Sequence, residues 1–310
     1  MRSNDSADPA ARLSALHSSS TDWSDWIASA RHAEDRHERI EGLAWPEGTR
    51  VAVNFTADFD AMLFRRALNE PPMQKAKGEF GGRVGIWRLL ELFGAHGVKA
   101  TFFTPGRICE LYPQALHAVV AAGHELADHM WEHLTPSQTE WQVDHIERTA
   151  AALQRISGKQ PIGTRSYYAQ KHLKQAGHLY NSTEAASRLP YYLADETGGN
   201  CLLQLPFHYA LDDAQFYNFG WLVSEPPAQR LTDPERIMEL WWTAFLAEYD
   251  TGCGYLNFCV HPFVSGRALR IECLDRLIGR MRQLPGVWFP TCAEVAHYCL
   301  ERFPPRRLPF

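Results

Sequence analysis

The sequence predicts an α/β fold in which parallel β-strands alternate with α-helices. From residue 45 onward, short runs rich in β-branched and aromatic residues are separated by roughly 10 to 20 residues of helical periodicity. A composition of 45% hydrophobic and 12% aromatic residues is typical of a folded globular protein and excludes extensive disorder. The length of 310 residues fits one α/β barrel, which needs about 250. A doubly wound sheet and a barrel both satisfy this pattern.

Charge and hydrophobicity exclude several classes of function. A net charge of −5 provides no basic surface for nucleic acid. The longest apolar runs are too short to cross a bilayer, and residues 1–50 contain no continuous apolar core of a signal peptide. The seven cysteines form no Cys-x-x-Cys pair, which indicates buried reduced thiols. We therefore expect a cytoplasmic protein that binds neither nucleic acid nor membranes.

The elements follow in order along the chain. Residues 1–44 are interpreted as a partly helical N-terminal extension, because apolar residues recur at helical spacing only at Trp23, Trp26, Ile27 and Ala30. Residues 45–310 are predicted to form the barrel or sheet. Its strands are expected at 51–56, 99–104, 124–128, 162–166, 202–207, 255–260 and 287–289.

Three helix starts carry capping signals, at 135–138, 233–235 and 291–294. Residues 169–200 contain few β-branched residues, so any barrel is expected to be distorted there. No Gly-x-Gly-x-x-Gly motif follows the first strand, which disfavours a dinucleotide-binding sheet.

Two aspartates follow the first predicted strand. Asp58 and Asp60 are two residues apart, so both side chains lie on one side of an extended chain at its C-terminal end. In parallel α/β folds this end carries the functional residues. Two adjacent carboxylates repel each other unless a cation lies beside them. The alternative is a solvated corner between strand and loop.

Two histidines follow the third predicted strand. His129 and His133 are four residues apart, so both imidazoles can bind one metal if the segment turns. With one carboxylate from the aspartate pair they supply an oxygen and two nitrogens and leave positions for water. This set suits a catalytic zinc or another divalent ion, whereas structural zinc has four protein ligands. Among 14 histidines the spacing also arises by chance.

Arg165 and His261 each end a further predicted strand. An arginine at this end of the barrel can pair with Asp58, and a histidine there can protonate a leaving nitrogen. The alternatives are a surface ion pair for Arg165 and a hydrogen-bonded core histidine for His261.

Taken together, these residues resemble the polysaccharide deacetylase (NodB-homology) family. The resemblance is closest to its intracellular branch, with peptidoglycan-deacetylase-like proteins, cyclic imide hydrolases and a metal-independent allantoinase. It covers roughly residues 45–303 and includes the His129/His133 pair. The other segments that carry it are WP at 45–46, DFDA at 58–61, GRVG at 82–85, KATFF at 99–103, GHEL at 123–126, PxGxRS at 161–166, VHP at 260–262 and PGVWF at 285–289.

The resemblance implies a distorted (β/α)7–8 barrel that hydrolyses carbon–nitrogen bonds other than peptide bonds. It makes Asp58 the general base, His261 the general acid and Arg165 the residue that positions Asp58. One divalent metal ion would be held, and the implied ligands are Asp60, His129 and His133. Zinc is the implied metal, with cobalt, manganese or nickel as alternatives, and the relatives imply a homo-oligomer, by analogy a tetramer.

Such a set of residues can hydrolyse an amide. The metal lowers the pKa of its water, Asp58 removes a proton as this water attacks the carbonyl, and His261 protonates the departing nitrogen. Because no export signal is recognised, the expected substrate is a small cyclic imide or amide. An aromatic wall suited to a flat ring is predicted from Tyr167, Tyr168, Trp131 and Phe263.

Alternatives remain open at this point. They are N-deacetylation of peptidoglycan or chitin-type amino sugars, an enzyme without metal, and a barrel that binds metal or ligand without catalysis. Two departures from the family pattern also matter. Tyr167 stands where relatives often have proline, and Arg188 stands near the position of an acidic residue, so Asp212 or Asp213 is the candidate partner of His261.

Overall fold

Strands alternate with helices along most of the chain. The computed structural model describes residues 23–63, 66, 69, 71–133, 139–217 and 233–310, and the capping signal predicted at 135–138 lies outside them. The strands are β1 His37–Arg39, β2 Val51–Asp58, β3 Thr101–Thr104, β4 Glu125–Asp128, β5 Gly163–Thr164, β6 Tyr180–Asn181, β7 Tyr191–Leu193, β8 Leu202–Gln204, β9 Gly254–Val260 and β10 Val287–Trp288.

The helices lie mainly between these strands. They are α1 Trp23–Asp35, α2 Pro72–Phe80, α3 Ile86–His96, α4 Ile108–Leu111, α5 Pro113–Ala121, α6 Thr139–Ser157, α7 Gln170–Gln175, α8 Asp213–Tyr217, α9 Pro234–Asp250, α10 Pro262–Ser265, α11 Ala268–Arg282 and α12 Cys292–Arg302. A π-helix, Gly81–Gly85, joins α2 to α3, and a 3₁₀ turn, Tyr209–Leu211, precedes α8.

The sheet curls into a distorted barrel, as the sequence predicted. β2 pairs in parallel with β9 on one side and with β3 and β10 on the other. Parallel pairing continues from β3 through β4, β5 and β6 to β8. The chain beyond β8 reaches Asp212, whose backbone forms a parallel bridge to Cys259 of β9. The described residues therefore form a ring of seven strands that this bridge closes.

The two longest strands are buried along their whole length. Every residue of β2 and β9 is buried, as expected for parallel strands that are covered on both faces. Phe55 of β2 and Phe258 of β9 stack with ring centroids 5.4 Å apart, and Phe93 of α3 packs against Phe55. This apolar layer fixes the direction of both strands, and so it fixes where their C-terminal ends lie.

The N-terminal segment adds to the sheet. The helix predicted there is α1, but β1 was not predicted, and it pairs antiparallel with β7, which pairs antiparallel with β8. The carboxylate of Glu38 accepts hydrogen bonds from the backbone N–H groups of Arg306, Arg307 and Leu308. The segment around β1 is thus tied to the C-terminal residues.

Two of the three predicted helix starts lie within the described residues, and both are confirmed. The Asp233 side chain accepts a hydrogen bond from the backbone of Glu235, and Thr291 and Glu294 form a capping box. All seven cysteines are free thiols. In the part of the chain that the structure describes, no helix is both long enough and apolar enough to cross a membrane.

Candidate active site

Six predicted site residues converge at one end of the barrel. Asp58 ends β2 and Asp60 follows it, His129 follows β4, Arg165 follows β5 and His261 follows β9. Because parallel strands place their C-terminal ends on one face, these side chains meet there together with His133. Five of the six are buried and His133 is half-buried.

Asp60, His129 and His133 form a compact cluster whose ligand atoms all lie within 4.8 Å of one another. Asp60 Oδ1 lies 3.3 Å from His129 Nε2, and Asp60 Oδ2 lies 3.6 Å from His133 Nε2. The ring of His129 is oriented by a 2.6 Å hydrogen bond from Nδ1 to the carbonyl of Arg165. This bond places the proton on Nδ1 and directs the Nε2 lone pair toward the carboxylates.

The loop between the two histidines has an unusual backbone. Met130 and His133 have φ values of 67° and 60°, in the left-handed region that non-glycine residues rarely adopt. The Asp128 carboxylate accepts a 2.7 Å hydrogen bond from the Met130 N–H, and the Met130 carbonyl accepts one from the Gly106 N–H. These bonds hold the turn that brings His133 back over His129.

The cluster fits a divalent metal ion. Asp60 Oδ1 and His129 Nε2 are buried and have no hydrogen-bond partner among the described residues, an arrangement that is costly unless something else binds there. Ligands about 2.1 Å from a tetrahedral ion lie about 3.4 Å apart, close to the 3.3 and 3.6 Å between Asp60 and the two imidazoles. One carboxylate and two imidazoles suit zinc or a similar ion.

The electrostatics of the cluster agree with this fit. Burial opposes ionisation of Asp60, but the imidazoles of His133, His129 and His261 lower its pKa, so it is a carboxylate at neutral pH. Burial lowers the pKa of His133, which favours the neutral ring that a metal requires. Burial also acts against the charged form of His129, yet Asp58 and Asp60 raise its pKa. The two carboxylates therefore attract a cation to Nε2, whether proton or metal.

Asp58 and Arg165 form a buried ion pair. Arg165 Nη1 lies 2.6 Å from Asp58 Oδ1, and the other carboxylate oxygen lies 3.6 Å from His129 Nε2. The guanidinium lies between the rings of Phe103 and Phe207, each 4.3 Å from Cζ. Its remaining N–H groups donate to Ser182, Thr56, Asn257 and the Cys259 sulfur. Arg165 is thus held in one position and fixes one oxygen of Asp58.

His261 is held by Asp213. The two carboxylate oxygens of Asp213 accept from His261 Nδ1 at 2.7 Å and from its backbone N–H at 2.9 Å. Burial disfavours the charged ring, but Asp213, Asp212 and Asp60 raise the pKa of His261 to about 10. Asp212 lies farther away, at 3.6 Å. Of the two candidates that the sequence left open, Asp213 is therefore the direct partner.

The four predicted wall residues occupy different environments. Tyr167 is 64% exposed, whereas Tyr168, Trp131 and Phe263 are buried. The Tyr168 hydroxyl lies 3.2 Å from His145, and the guanidinium groups of Arg107 and Arg148 lie over the Trp131 ring. Phe263 packs beside His261, with ring centroids 5.6 Å apart. The structure thus gives the three buried rings packing contacts and leaves Tyr167 as the exposed one.

Tyr209 was not predicted from the sequence. It is 57% exposed, and its ring contacts Phe207, which stacks on Arg165. Partial burial and the neighbouring Tyr209 raise the pKa of Tyr167 to about 12, and the charge of Asp58 adds to this rise. Tyr167 and Tyr209 are therefore neighbours, and they follow β5 and β8 at the end of the barrel where the cluster lies. The sequence signal for Tyr209 is weak, since aromatic residues after β8 also occur as packing residues.

Comparison with known proteins identifies the family. The profile described as polysaccharide deacetylase matches residues 81–183, which include His129, His133 and Arg165. A crystal structure from Mycobacterium smegmatis, assigned to the polysaccharide deacetylases, is 30% identical with a TM-score of 0.76, and the alignment covers 85% of this chain and 95% of that one. The chain belongs to the polysaccharide deacetylase family.

Other members and neighbours of the polysaccharide deacetylase family extend this comparison. The peptidoglycan deacetylase of Helicobacter pylori is 24% identical over 291 residues, covering 83% of this chain and 99% of that protein. The structure of Puue allantoinase, 22% identical, has a TM-score of 0.76 and covers 84% of this chain and 94% of that one, which shows a shared fold. The family resemblance predicted from the motifs is confirmed, and the protein is a hydrolase of the polysaccharide deacetylase family.

Proposed function

We propose that this protein is a metal-dependent hydrolase of carbon–nitrogen bonds other than peptide bonds, with Asp58 as general base and His261 as general acid. The observation that carries the proposal is that both groups border the same cluster. Asp58 Oδ2 lies 3.6 Å from His129, and His261 Nε2 lies 3.7 Å from Asp60. A base and an acid next to one candidate metal site are the groups that amide hydrolysis requires.

The metal would be held by Asp60, His129 and His133, whose donor set favours zinc. When bound, such an ion lowers the pKa of a water molecule and polarises a carbonyl group. The carboxylate and the two rings contribute one negative charge to a divalent ion. The residues around it therefore leave a net positive centre toward which a carbonyl oxygen is attracted.

Asp58 is arranged to accept a proton through one defined oxygen. Oδ1 is occupied by the 2.6 Å contact with Arg165, so Oδ2, which faces His129, is the oxygen available to the attacking water. Arg165 keeps the carboxylate from rotating because its own position is fixed by Ser182 and the two flanking phenyl rings. The base is thus preorganised, so little reorientation is needed during the reaction.

His261 is arranged to donate a proton. Its Nδ1–H is bound to Asp213, and Nε2 faces the cluster near Asp60. Because its pKa is raised to about 10, the ring is protonated at neutral pH and can deliver the Nε2 proton to a departing nitrogen. An amine is a poor leaving group until it is protonated, so this transfer allows the carbon–nitrogen bond to break.

The substrate proposed is a small cyclic imide or amide. The exposed rings of Tyr167 and Tyr209 follow β5 and β8 at the same end of the barrel as Asp58 and offer flat surfaces to a planar ring. A second candidate is N-deacetylation of an amino sugar, which is favoured by the alignment of 83% of this chain with the peptidoglycan deacetylase of Helicobacter pylori. Both reactions use the same base and acid and differ in the group that the two tyrosines contact.

The test combines metal analysis with a substrate panel. The purified protein is analysed for bound metal and assayed on cyclic imides and on acetylated chito-oligosaccharides, before and after treatment with a chelator. Asp58→Asn is expected to lower turnover by about 10²- to 10⁴-fold while the metal content stays the same. The control is Asp144→Asn, because Asp144 is an exposed residue of α6. Unchanged turnover by Asp58→Asn contradicts the assignment of the base, and full activity without metal contradicts the role of the cluster.

A further inference from the structure

Three arginines gather beside α10, the short helix that follows His261. Arg88 donates a 3.0 Å hydrogen bond to the Gly266 carbonyl, and Arg270 donates a 3.1 Å hydrogen bond to the Val264 carbonyl. Arg267 lies three residues before Arg270, and its side chain makes no hydrogen bond with the described residues. We call Arg88, Arg267 and Arg270 the arginine cluster.

The guanidinium groups of Arg267 and Arg270 stack on aromatic rings, and that of Arg88 lies farther from one. Arg267 Cζ lies 3.6 Å from the ring centroid of Phe80, and Arg88 Cζ lies 6.0 Å from the same centroid. Arg270 Cζ lies 4.0 Å from the ring of Tyr217. Stacking over a ring face leaves the N–H edge of a guanidinium available for a planar acceptor, and this edge matches a carboxylate or a phosphate.

The charge of the cluster is not compensated by ion pairs. Among the residues that the structure describes, no carboxylate forms an ion pair with any of the three arginines, although Arg83 nearby pairs with Glu79 at 3.1 Å. Burial and the charges of Arg270 and Arg88 lower the pKa of Arg267. Arg267 is the N-cap of α11 and Arg270 lies in its first turn, which contains no acidic residue, so two of these cations lie at the positive end of its dipole.

This arrangement is unfavourable by itself. Arg267 feels the like charges of Arg88 and Arg270 and a helix dipole of the same sign, whereas Arg270 is also near the carboxylate of Asp213. Arg88 and Arg270 would suffice to bind the carbonyl groups beside α10. Arg267 stacks on the Phe80 ring but, among the described residues, its N–H groups bind no carbonyl group. An oxyanion that accepts hydrogen bonds from the guanidinium N–H groups would neutralise the repulsion between these arginines. It would also give the N–H groups of Arg267 a partner.

We propose that the arginine cluster is a binding site for an oxyanion, the carboxylate or phosphate group of a small molecule. The site is separate from Asp60, His129 and His133, and the proposal does not depend on the reaction assigned to them. It lies beside the acid end of the active site, since Arg270 contacts Val264 and α10 begins immediately after His261. The oxyanion is either a free anion or a group carried by the substrate.

The experiment is calorimetric titration of the full chain with inorganic phosphate and, separately, with acetate. We expect saturable binding of at least one of them, about tenfold weaker or more in Arg267→Gln, because one charge-assisted interaction is lost. Arg83→Gln is the matched control, since Arg83 is exposed and already paired with Glu79, and its affinity is expected to equal that of the unsubstituted protein. Absence of saturable binding of either anion, or equal binding by Arg267→Gln, overturns the proposal.

Two further measurements complete the test. If Arg267→Gln does not fold, the thermal unfolding midpoint of the unsubstituted protein is compared in phosphate, acetate and chloride at equal ionic strength, and identical midpoints overturn the proposal. Once a substrate is known, the effect of the bound anion on kcat and KM shows whether the site takes a group of the substrate or a free anion. An increase in KM at constant kcat supports a group on the substrate, whereas a change in kcat supports a separate effector.

Discussion

Gly85 is the position where one added methyl group should affect catalysis most directly without touching a reactive residue. It ends the π-helix Gly81–Gly85, which packs against the turn that begins at Pro262, immediately after His261. Its φ of −61° and ψ of −40° are ordinary helical values, so alanine causes no backbone strain there. The effect of Gly85→Ala is therefore one of space alone.

The size of this effect follows from the contact distances. A Cβ atom on Gly85 would lie 1.9 Å from the carbonyl oxygen of Pro262 and 2.6 Å from its carbonyl carbon. Carbon–oxygen contacts settle at about 3.3 Å, so the two segments must separate by about 1.4 Å. Misplacing a catalytic group by about 1 Å costs about 10²-fold in rate. Overpacking costs about 1–3 kcal/mol in the free energy of unfolding.

The assay compares kcat and the unfolding midpoint of Gly85→Ala with those of Gly94→Ala. Gly94 lies in the next helix, α3, and a Cβ atom there would meet nothing within 4 Å. Gly94→Ala should therefore stabilise the protein by up to about 1 kcal/mol and leave kcat unchanged. If Gly85→Ala folds with the kcat of the unsubstituted enzyme, the π-helix does not position His261 and the reasoning fails.

Three more predictions concern charge and metal. Burial opposes the charged form of His261, but Asp213, with Asp212 and Asp60, raises its pKa to about 10. If the protonated ring is the active form, as proposed, Asp213→Asn should move the alkaline limb of the pH–rate profile to lower pH. The raised pKa of His261 stabilises the folded protein fully below about pH 6.5, and this contribution is lost as pH rises toward 10. The difference in the free energy of unfolding between the unsubstituted protein and Asp213→Asn, measured by denaturant titration, should therefore become smaller at alkaline pH. His129→Ala should lose its bound metal by elemental analysis, and retained stoichiometry would contradict the ligand set. Burial opposes ionisation of Glu38, but three backbone N–H groups lower its pKa. Glu38→Gln should therefore lower the free energy of unfolding by about 1–3 kcal/mol at pH 7. This difference in the free energy of unfolding should vanish as pH falls through the lowered pKa of Glu38. The control is Glu41→Gln, because the Glu41 side chain is exposed.

The central strands could be predicted from the sequence because their pattern is decided locally. β2 and β9 are buried strands of eight and seven residues in which most residues are apolar, long enough for burial on both faces to leave a clear signal. β2 ends in Asp58 and β9 is followed by His261. The change from apolar to polar residues at the end of each strand therefore indicates where the functional side chains lie. The candidate site was accessible to sequence reasoning because parallel topology brings such ends together.

Three short strands, β1, β6 and β7, could not be predicted in the same way. β6 and β7 contain two and three residues, and β1 three, so none spans enough alternation to be recognised. Their pairing depends on neighbours distant in sequence, such as Arg39 beside Tyr191. The exposed position of Tyr209 and the stacking of Phe207 on Arg165 are likewise decided by where the chain crosses the barrel end after β8. A single sequence carries no local signal for that crossing.

Asp58 and Asp60 show how the fold gives two identical side chains different chemistry. Asp58 faces Arg165 at 2.6 Å, and a guanidinium is always charged and has no lone pair, so it can orient a carboxylate but cannot share a metal ion with it. Asp60 faces His129 and His133 at 3.3 and 3.6 Å, and neutral imidazoles can share one. In the proposed reaction, the partners, rather than the carboxylates, therefore assign the metal to Asp60 and the proton to Asp58. Alternation along the strand places both side chains on one side, and what lies across the barrel from each then decides between base and ligand.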